Sequence, residues 1–315
     1  MPRSFVLLFI GLAWASCVLA KQYGPNLPHP ADPFLDPAND PYNPLGYIAS
    51  NTLTAIAFSL IVASALWGAW WMSCMVIGEY TFSIGIGSRF GLTLNPESKA
   101  IYIVEYLFVV LSPCAFIAAD YILLGRLARH VNAGQYLVIR PERVMITFLI
   151  SDIVTFLIQA AGGGVSIGAN SADVAKTGSN IFLGGLVIQL VSFVTFTAVF
   201  LLFLYRVRKF EPKTWARDAG LPWYHDWRAL VGAMLLSCVG IIIRSVYRVI
   251  ELSQGFEGPI ARSERLFYGL DTLPLFIAVV VYVPFWPGRF ISPSTAQTEP
   301  VPEADVREKT SEDVA

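Results

Sequence analysis

The stretch A-L-V-G-A-M-L-L-S-C-V-G-I-I-I-R-S-V-Y-R-V-I-E, residues 229–251, decides the fold class. From Ala229 to Ile243 no charge interrupts it, and its whole length is close to the roughly 20 residues with which a helix crosses a bilayer. Its end is unusual for such a segment: Arg244, Tyr247, Arg248 and Glu251 recur at the spacing that puts side chains on one helical face. Glu264, Tyr268 and Asp271 follow at the start of the next apolar run. A charge near or inside a span costs about 2.5–3.5 kcal/mol, so such groups pair with one another or face a cavity.

The rest of the chain is of the same kind. Over 315 residues it is 55% hydrophobic and 14% charged, against about 25% charged in an ordinary soluble domain. The expected class is all-α, a polytopic membrane protein. Seven apolar segments are predicted to span, at about 47–69, 71–91, 101–123, 144–165, 181–205, 229–251 and 266–287. The short apolar connector from Trp67 to Met72 makes the first two a tight hairpin. Ahead of them, residues 1–20 read as a secretory signal, with Arg3, an apolar stretch from Phe5 and Val18-Leu19-Ala20 before Lys21. Residues 21–45, rich in Pro, Asn and Asp, read as an extended, solvent-facing lead-in, residues 46–288 as the membrane domain, and residues 289–315 as a disordered tail.

Basic residues orient the segments. Arg126, Arg129, Arg140 and Arg143 follow the third segment, and Arg206, Arg208, Lys209, Lys213, Arg217 and Arg228 follow the fifth. Connections of the other parity hold Arg89 and Lys99, then Lys176, then Arg262 and Arg265. The positive-inside rule makes the first set cytosolic, with the amino end outside and the carboxyl end inside. A cleaved signal agrees with that, and the secretory route leads to the plasma membrane.

Several functions are excluded. A net charge of −1 with no basic run gives nucleic acid nothing to bind. The four cysteines form neither a disulfide framework nor a zinc spacing, and His29, His130 and His225 all fall outside the expected spans. No phosphate loop is present, Lys176 being preceded by alanine, and no nucleophile sits in a recognisable motif with a base. The chain is therefore read as a non-enzyme with no cofactor and no metal. Any transport must run downhill or on a gradient.

Polar groups inside the spans are the candidates for function. Asp152, Thr155 and Gln159 share a face of the fourth segment, ahead of Gly162, Gly163 and Gly164. Gly184, Gly185, Gln189 and Ser192 give the fifth segment a small-residue and amide face. Glu79 lies in the second segment, and Glu105 and Asp120 lie in the third. Glu79, Glu105, Asp120, Asp152 and Asp271 against Arg244 and Arg248 leave an excess of acid, suited to a cationic head group or a proton relay. Structural roles stand beside these. Arg244 and Arg248 are equally suited to fixing how the last two helices dock, on Glu251, Glu264 or Asp271. Asp152 with Gln159 suits an interhelical clamp, and Asp120 with Arg126 suits snorkelling to water.

The motifs together resemble a known family. E-Y at 79–80, S-P-C-A-F-I-A-A-D-Y at 112–121, S-D-I-V-T-F-L-I-Q-A-A-G-G-G at 151–164, G-G-L-V-I-Q-L at 184–190, and R-S-V-Y-R-V-I-E with its downstream G-x-x-G, Glu264, Tyr268 and Asp271 are similar to the fungal lipid-translocating exporters. That family includes the sphingoid long-chain-base transporter and the 7-aminocholesterol resistance proteins. One departure is I-G-E-Y at 77–80, where the family more often has glycine between acid and tyrosine. The resemblance implies seven spans, a fungal source, and the movement of membrane lipids or amphiphilic small molecules, sphingoid bases among them, with resistance to toxic amphiphiles. The competing class is a seven-helix receptor or lipid sensor. Against it, the third segment closes on A-D-Y then G-R-L-A-R rather than a D/E-R-Y triplet, and the seventh reads V-Y-V-P-F-W rather than N-P-x-x-Y.

Overall fold

A computed structural model of the chain describes residues 32–291, apart from 38–39, 41, 44, 68–72, 139, 168, 170, 219, 221–225, 255–257 and 259. The signal at 1–20, most of the lead-in, the 68–72 connector, His29, His225 and the tail beyond 291 lie outside the described residues. Among those described there are helices and turns and no strand. Long helices are α1 (Asn51–Trp67), α2 (Ser73–Leu94), α3 (Lys99–His130), α4 (Pro141–Ile167), α5 (Ala172–Phe210) and α6 (Trp227–Ser253). The last, α7, is composite: Glu264–Leu266, a π-helical turn Phe267–Thr272, then Leu273–Val280. Four stretches are long and apolar enough to cross a membrane, Ala100–His130, Arg143–Ser166, Asp173–Phe210 and Trp227–Ser253.

Local chemistry sets several ends. Ser171 caps α5 by accepting from Val174 N, with Asp173 in the first turn and Arg208 and Lys209 in the last, as the helix dipole favours. Asp226 caps α6 through Arg228 N at 2.9 Å. Helix α3 stops where Asn132 takes φ 53°, and Ala133 N closes back on Ala128 O at 3.0 Å. In α7, Pro274 has no N–H to give to Leu270, and Leu273 N reaches Tyr268 O, one residue further back than an α-helix allows.

Helix α3 is the axis of the bundle. Its apolar window is 82% buried, against 33% in α4 and in α5, which leave the larger part of their surface to lipid. The faces of α5 divide cleanly. Phe193, Phe196, Phe200 and Phe203 are fully buried, and Phe196 meets the Tyr121 ring of α3 at 4.5 Å. Val187, Ile188, Val191, Val194, Leu201 and Leu202 point outward. Since lipid is as apolar as leucine, such a bundle is held by packing rather than by flight from water.

The α4–α5 seam shows how tightly. A Cβ placed on Gly162 would stand 2.4 Å from Phe182 N, and one on Gly178 2.4 Å from Ser166 N. Backbone meets backbone there. Of the 162–164 run only Gly162 is needed for this, because Gly164 faces open space and Gly163 would meet only the Phe182 ring at 3.4 Å. Likewise Gly185 packs on Gln159 while Gly184 faces outward. Gly162→Ala is therefore expected to lower stability by about 1–3 kcal/mol, the usual cost of overpacking. Gly164→Ala should be neutral or slightly stabilising, since alanine is the better helix former. Thermal unfolding of the detergent-purified variants checks the contrast.

Three expectations need correction. The described end of the lead-in is not extended into solvent: Asp40, Tyr42 and Asn43 are buried, in turns closed by Asp40 Oδ1 on Tyr42 N and Asn43 Oδ1 on Leu45 N. These short side chains satisfy the backbone locally, which favours a turn over an extended strand. The seventh segment was expected to continue to 287, but α-helix ends at Val280, turns follow, and Pro287–Phe290 is a separate short helix with Phe290 and Ile291 buried. Third, Arg89, counted with the loops, lies inside α2 and is 1% exposed.

Candidate functional site

Two polar regions occupy the interior. The first lies at the end of the bundle holding the α2–α3 and α6–α7 connections, here the ion-pair end. Arg248 grips Asp271 with two donors, Nε to Oδ1 at 2.5 Å and Nη2 to Oδ2 at 2.9 Å, and reaches Glu251 with Nη1 at 2.9 Å. Asp271 also serves Arg244, whose Nε is 3.2 Å from Oδ1. One carboxylate thus stands between two guanidiniums, all three groups buried. Arg244 Nη2 donates to Val109 O at 2.7 Å. That carbonyl lacks its helical donor because Pro113, four residues on, has no N–H to offer it; the Ser112 hydroxyl donates to it at 3.1 Å, and its second lone pair is left to an arginine three helices further along the chain. Tyr247 shares the buried face, its hydroxyl 3.5 Å from Glu251.

The second half of this end is built on Arg89. It donates to Glu105 Oε1 at 2.8 Å and to the Tyr47 hydroxyl at 2.6 Å, and its guanidinium lies 4.3 Å from the Phe267 ring centre and 5.4 Å from that of Tyr268. Such cation–π contacts strengthen when water is excluded. Glu264 does not pair with Arg244 or Arg248. It accepts from Ser50 N at 2.7 Å and lies 3.9 Å from Arg89, while the Tyr268 hydroxyl meets Thr54 Oγ1 at 2.9 Å. Helices α1, α2, α3 and α7 and the lead-in are joined through these contacts. Between the Arg89 and Arg248 groups is a cavity of about 40 Å³, lined by Tyr47, Tyr102, Glu105, Tyr106 and Glu251 among others. At roughly 10–15 Å³ per water it has room for about three or four waters and not for an acyl chain.

The second region lies deeper. Asp120 was expected to snorkel; instead it is fully buried, because α3 runs on to His130, and it accepts from Tyr282 at 2.6 Å and Ser237 at 3.0 Å. Gln159 Nε2 donates to Gln189 Oε1 at 2.8 Å, and Gln189 Nε2 to Cys114 Sγ at 3.2 Å, tying α3, α4 and α5. Of the two residues expected to form an interhelical clamp, Gln159 does so, through Gln189, and Asp152 takes no part in it. Asp152 is 3% exposed, and its oxygens have no close hydrogen-bond partner among the described residues, the Tyr121 hydroxyl facing them at long range. Glu79, 5% exposed, has an unpartnered Oε2.

The acid excess is therefore smaller than the sequence count. Glu105 and Asp271 are neutralised by Arg89, Arg244 and Arg248, leaving Glu79, Asp120 and Asp152 without an ion pair among the described residues. Arg89, Tyr47 and Phe267 were missed as site residues. A signal existed, since Arg89 and Glu105 are equidistant from residue 97, in the α2–α3 turn, and so sit level across that hairpin.

Apolar helices, two-sided burial and ionisable groups turned inward define a polytopic, all-helical integral membrane protein. Residues 75–294 match the family described as RTA1 like protein, and the chain belongs to that family. It is 33% identical over 213 residues to Protein RTA1 of Saccharomyces cerevisiae, covering 67% of this chain and 64% of that protein. It is 30% identical over 205 residues to protoporphyrin uptake protein 1 of the same yeast, covering 64% and 63%. With the yeast sphingoid long-chain base transporter RSB1 it shares 24% identity over 271 residues, covering 74% and 68%. The chain thus spans slightly less than two thirds of the first two relatives' lengths. No solved structure matches it.

Proposed function

We propose that this chain spans the membrane seven times, amino end outside and carboxyl end cytosolic, and translocates or exports amphiphilic lipids with an amino head group, sphingoid bases among them. The observation that carries this reading is the set of three buried carboxylates, Glu79, Asp120 and Asp152, with no ion pair among the described residues. A membrane interior keeps such groups only at a cost, and a cationic head group is the ligand that repays them. The names of two relatives, a sphingoid long-chain base transporter and a protoporphyrin uptake protein, support movement of amphiphiles. The ion-pair end would then be the outer gate, and the plasma membrane the site of action.

Purified protein in liposomes should move a labelled sphingoid base across the bilayer faster than protein-free vesicles. No such movement, with binding retained, would favour the lipid-sensor reading. In intact cells a carboxyl-terminal tag should be inaccessible from outside; a tag that antibody reaches without permeabilisation reverses the orientation.

A further inference from the structure

Resting on the translocator reading, we propose that Asp152 is a proton-exchange site at which a proton and the lipid ammonium take turns. The geometry points there rather than to the other acids. Asp271 and Glu105 hold arginines, and Asp120 holds two hydroxyl donors. Asp152 has no cation among the described residues: both oxygens are sealed from solvent, and the donor it has is the Tyr121 hydroxyl at long range. Beside it on α3 is the equally buried Tyr121 hydroxyl, which faces the carboxyl as a long-range hydrogen-bond donor and has no other partner among the described residues. A buried carboxyl held by one long-range phenol donor, with no cation beside it among the described residues, marks a place that can change occupant.

The other groups around it fix what that occupant is. From α3 come Tyr121 and the Cys114 thiol, with Asp120 beyond Tyr121; α5 brings the neutral amide of Gln189; Arg244 of α6 reaches Cys114 but is engaged by Asp271 and Val109 O. No cation is recorded against Asp152 itself. An ionised carboxylate there would stand uncompensated, so this conformation is that of the neutral acid. A hard metal ion does not fit, since it requires about six oxygens and finds a carboxyl, a phenol and a thiol. No metal-competent cluster occurs among the described residues. The exchange balances in charge: the O–H bond of the acid breaks, the proton leaves to one side of the membrane, and the ammonium pairs with the carboxylate left behind. Return of a proton expels the lipid.

The test uses the full protein in liposomes and a single-chain amphiphile with a trimethylammonium head, whose fixed charge prevents passive trapping in an acidic lumen. Wild type should take it up several-fold faster into acid-lumen vesicles than without a gradient, and a protonophore should remove the difference. Asp152→Asn should lose the acceleration and also slow downhill movement, since the ammonium loses its carboxylate, whereas Asp152→Glu should keep the acceleration with a displaced pH dependence. If Asp152→Asn does not fold, Asp152→Glu and a second measurement decide: wild type in weakly buffered detergent should release protons on binding the amphiphile. Transport indifferent to the gradient, an accelerated Asp152→Asn, or binding without proton release each overturns the proton site while leaving the translocator standing. Wild type that moves no amphiphile at all overturns both.

Discussion

Replacing Asp271 with alanine is expected to be more damaging than replacing either arginine it serves. Asp271→Ala strands Arg244 and Arg248 together, two buried like charges, with Glu251 still paired to Arg248 and no carboxylate paired to Arg244 among the described residues. Arg248→Ala leaves Asp271 with Arg244 and is buffered to that extent. Breaking a buried pair by removing one partner costs about 3–5 kcal/mol, and the aspartate change should lie at or beyond the top of that range. The double change Arg248→Ala with Asp271→Ala should recover part of the loss but not all, since Arg244 remains unpaired. Folded yield and thermal unfolding of the four proteins give the coupling; a pair that behaves additively would show that Arg248 and Asp271 do not stabilise one another.

The second large effect is expected at Arg89. Arg89→Ala deletes the shared centre of Glu105, Tyr47, Phe267 and Tyr268 and leaves Glu105 buried without its cation, again a loss of about 3–5 kcal/mol. Arg89→Lys should rescue only partly. A lysine keeps the charge but lacks the planar fork that reaches Glu105 and Tyr47 together while lying over two rings. Beyond stability, Arg89→Ala should raise hydrogen–deuterium exchange in residues 40–50, because Tyr47 ties that segment down. Unchanged exchange there would mean the lead-in is held by other contacts.

How much of this was legible in the sequence follows from which constraints are local. A bilayer imposes one length and one composition on every crossing helix, so each of the seven apolar segments contains helix among the described residues, and α6 differs from its expected bounds by two residues at each end. The Arg248 and Asp271 contact was legible because a charge in such a place must find its opposite nearby. Where the reading failed, the deciding neighbour lay on another helix. Asp120 looked close to a helix end until α3 proved to continue to His130, and its partners are Ser237 and Tyr282, more than a hundred residues on. Arg89 looked like a loop cation because Glu105 and Tyr47, which hold it, reach it only through the α2–α3 hairpin and the folded lead-in.

The lengths of α3 and α5 carry a consequence of their own. With 32 and 39 residues they measure about 48 and 58 Å at 1.5 Å per residue, against a hydrocarbon slab of about 30 Å. To hide inside it they would have to lean by about 50° and 60°, beyond the 0–40° that membrane helices adopt. Mismatch of that size is not absorbed by tilt, so both helices are expected to extend past the slab, and their carboxyl ends, which lie side by side, form a stalk. Its tip is braced by Arg217 against the His130 carbonyl and by the Tyr136 ring stacked on Phe210. A rigid soluble domain fused to that stalk would supply the fiducial mass that a small, lipid-embedded chain lacks for single-particle imaging.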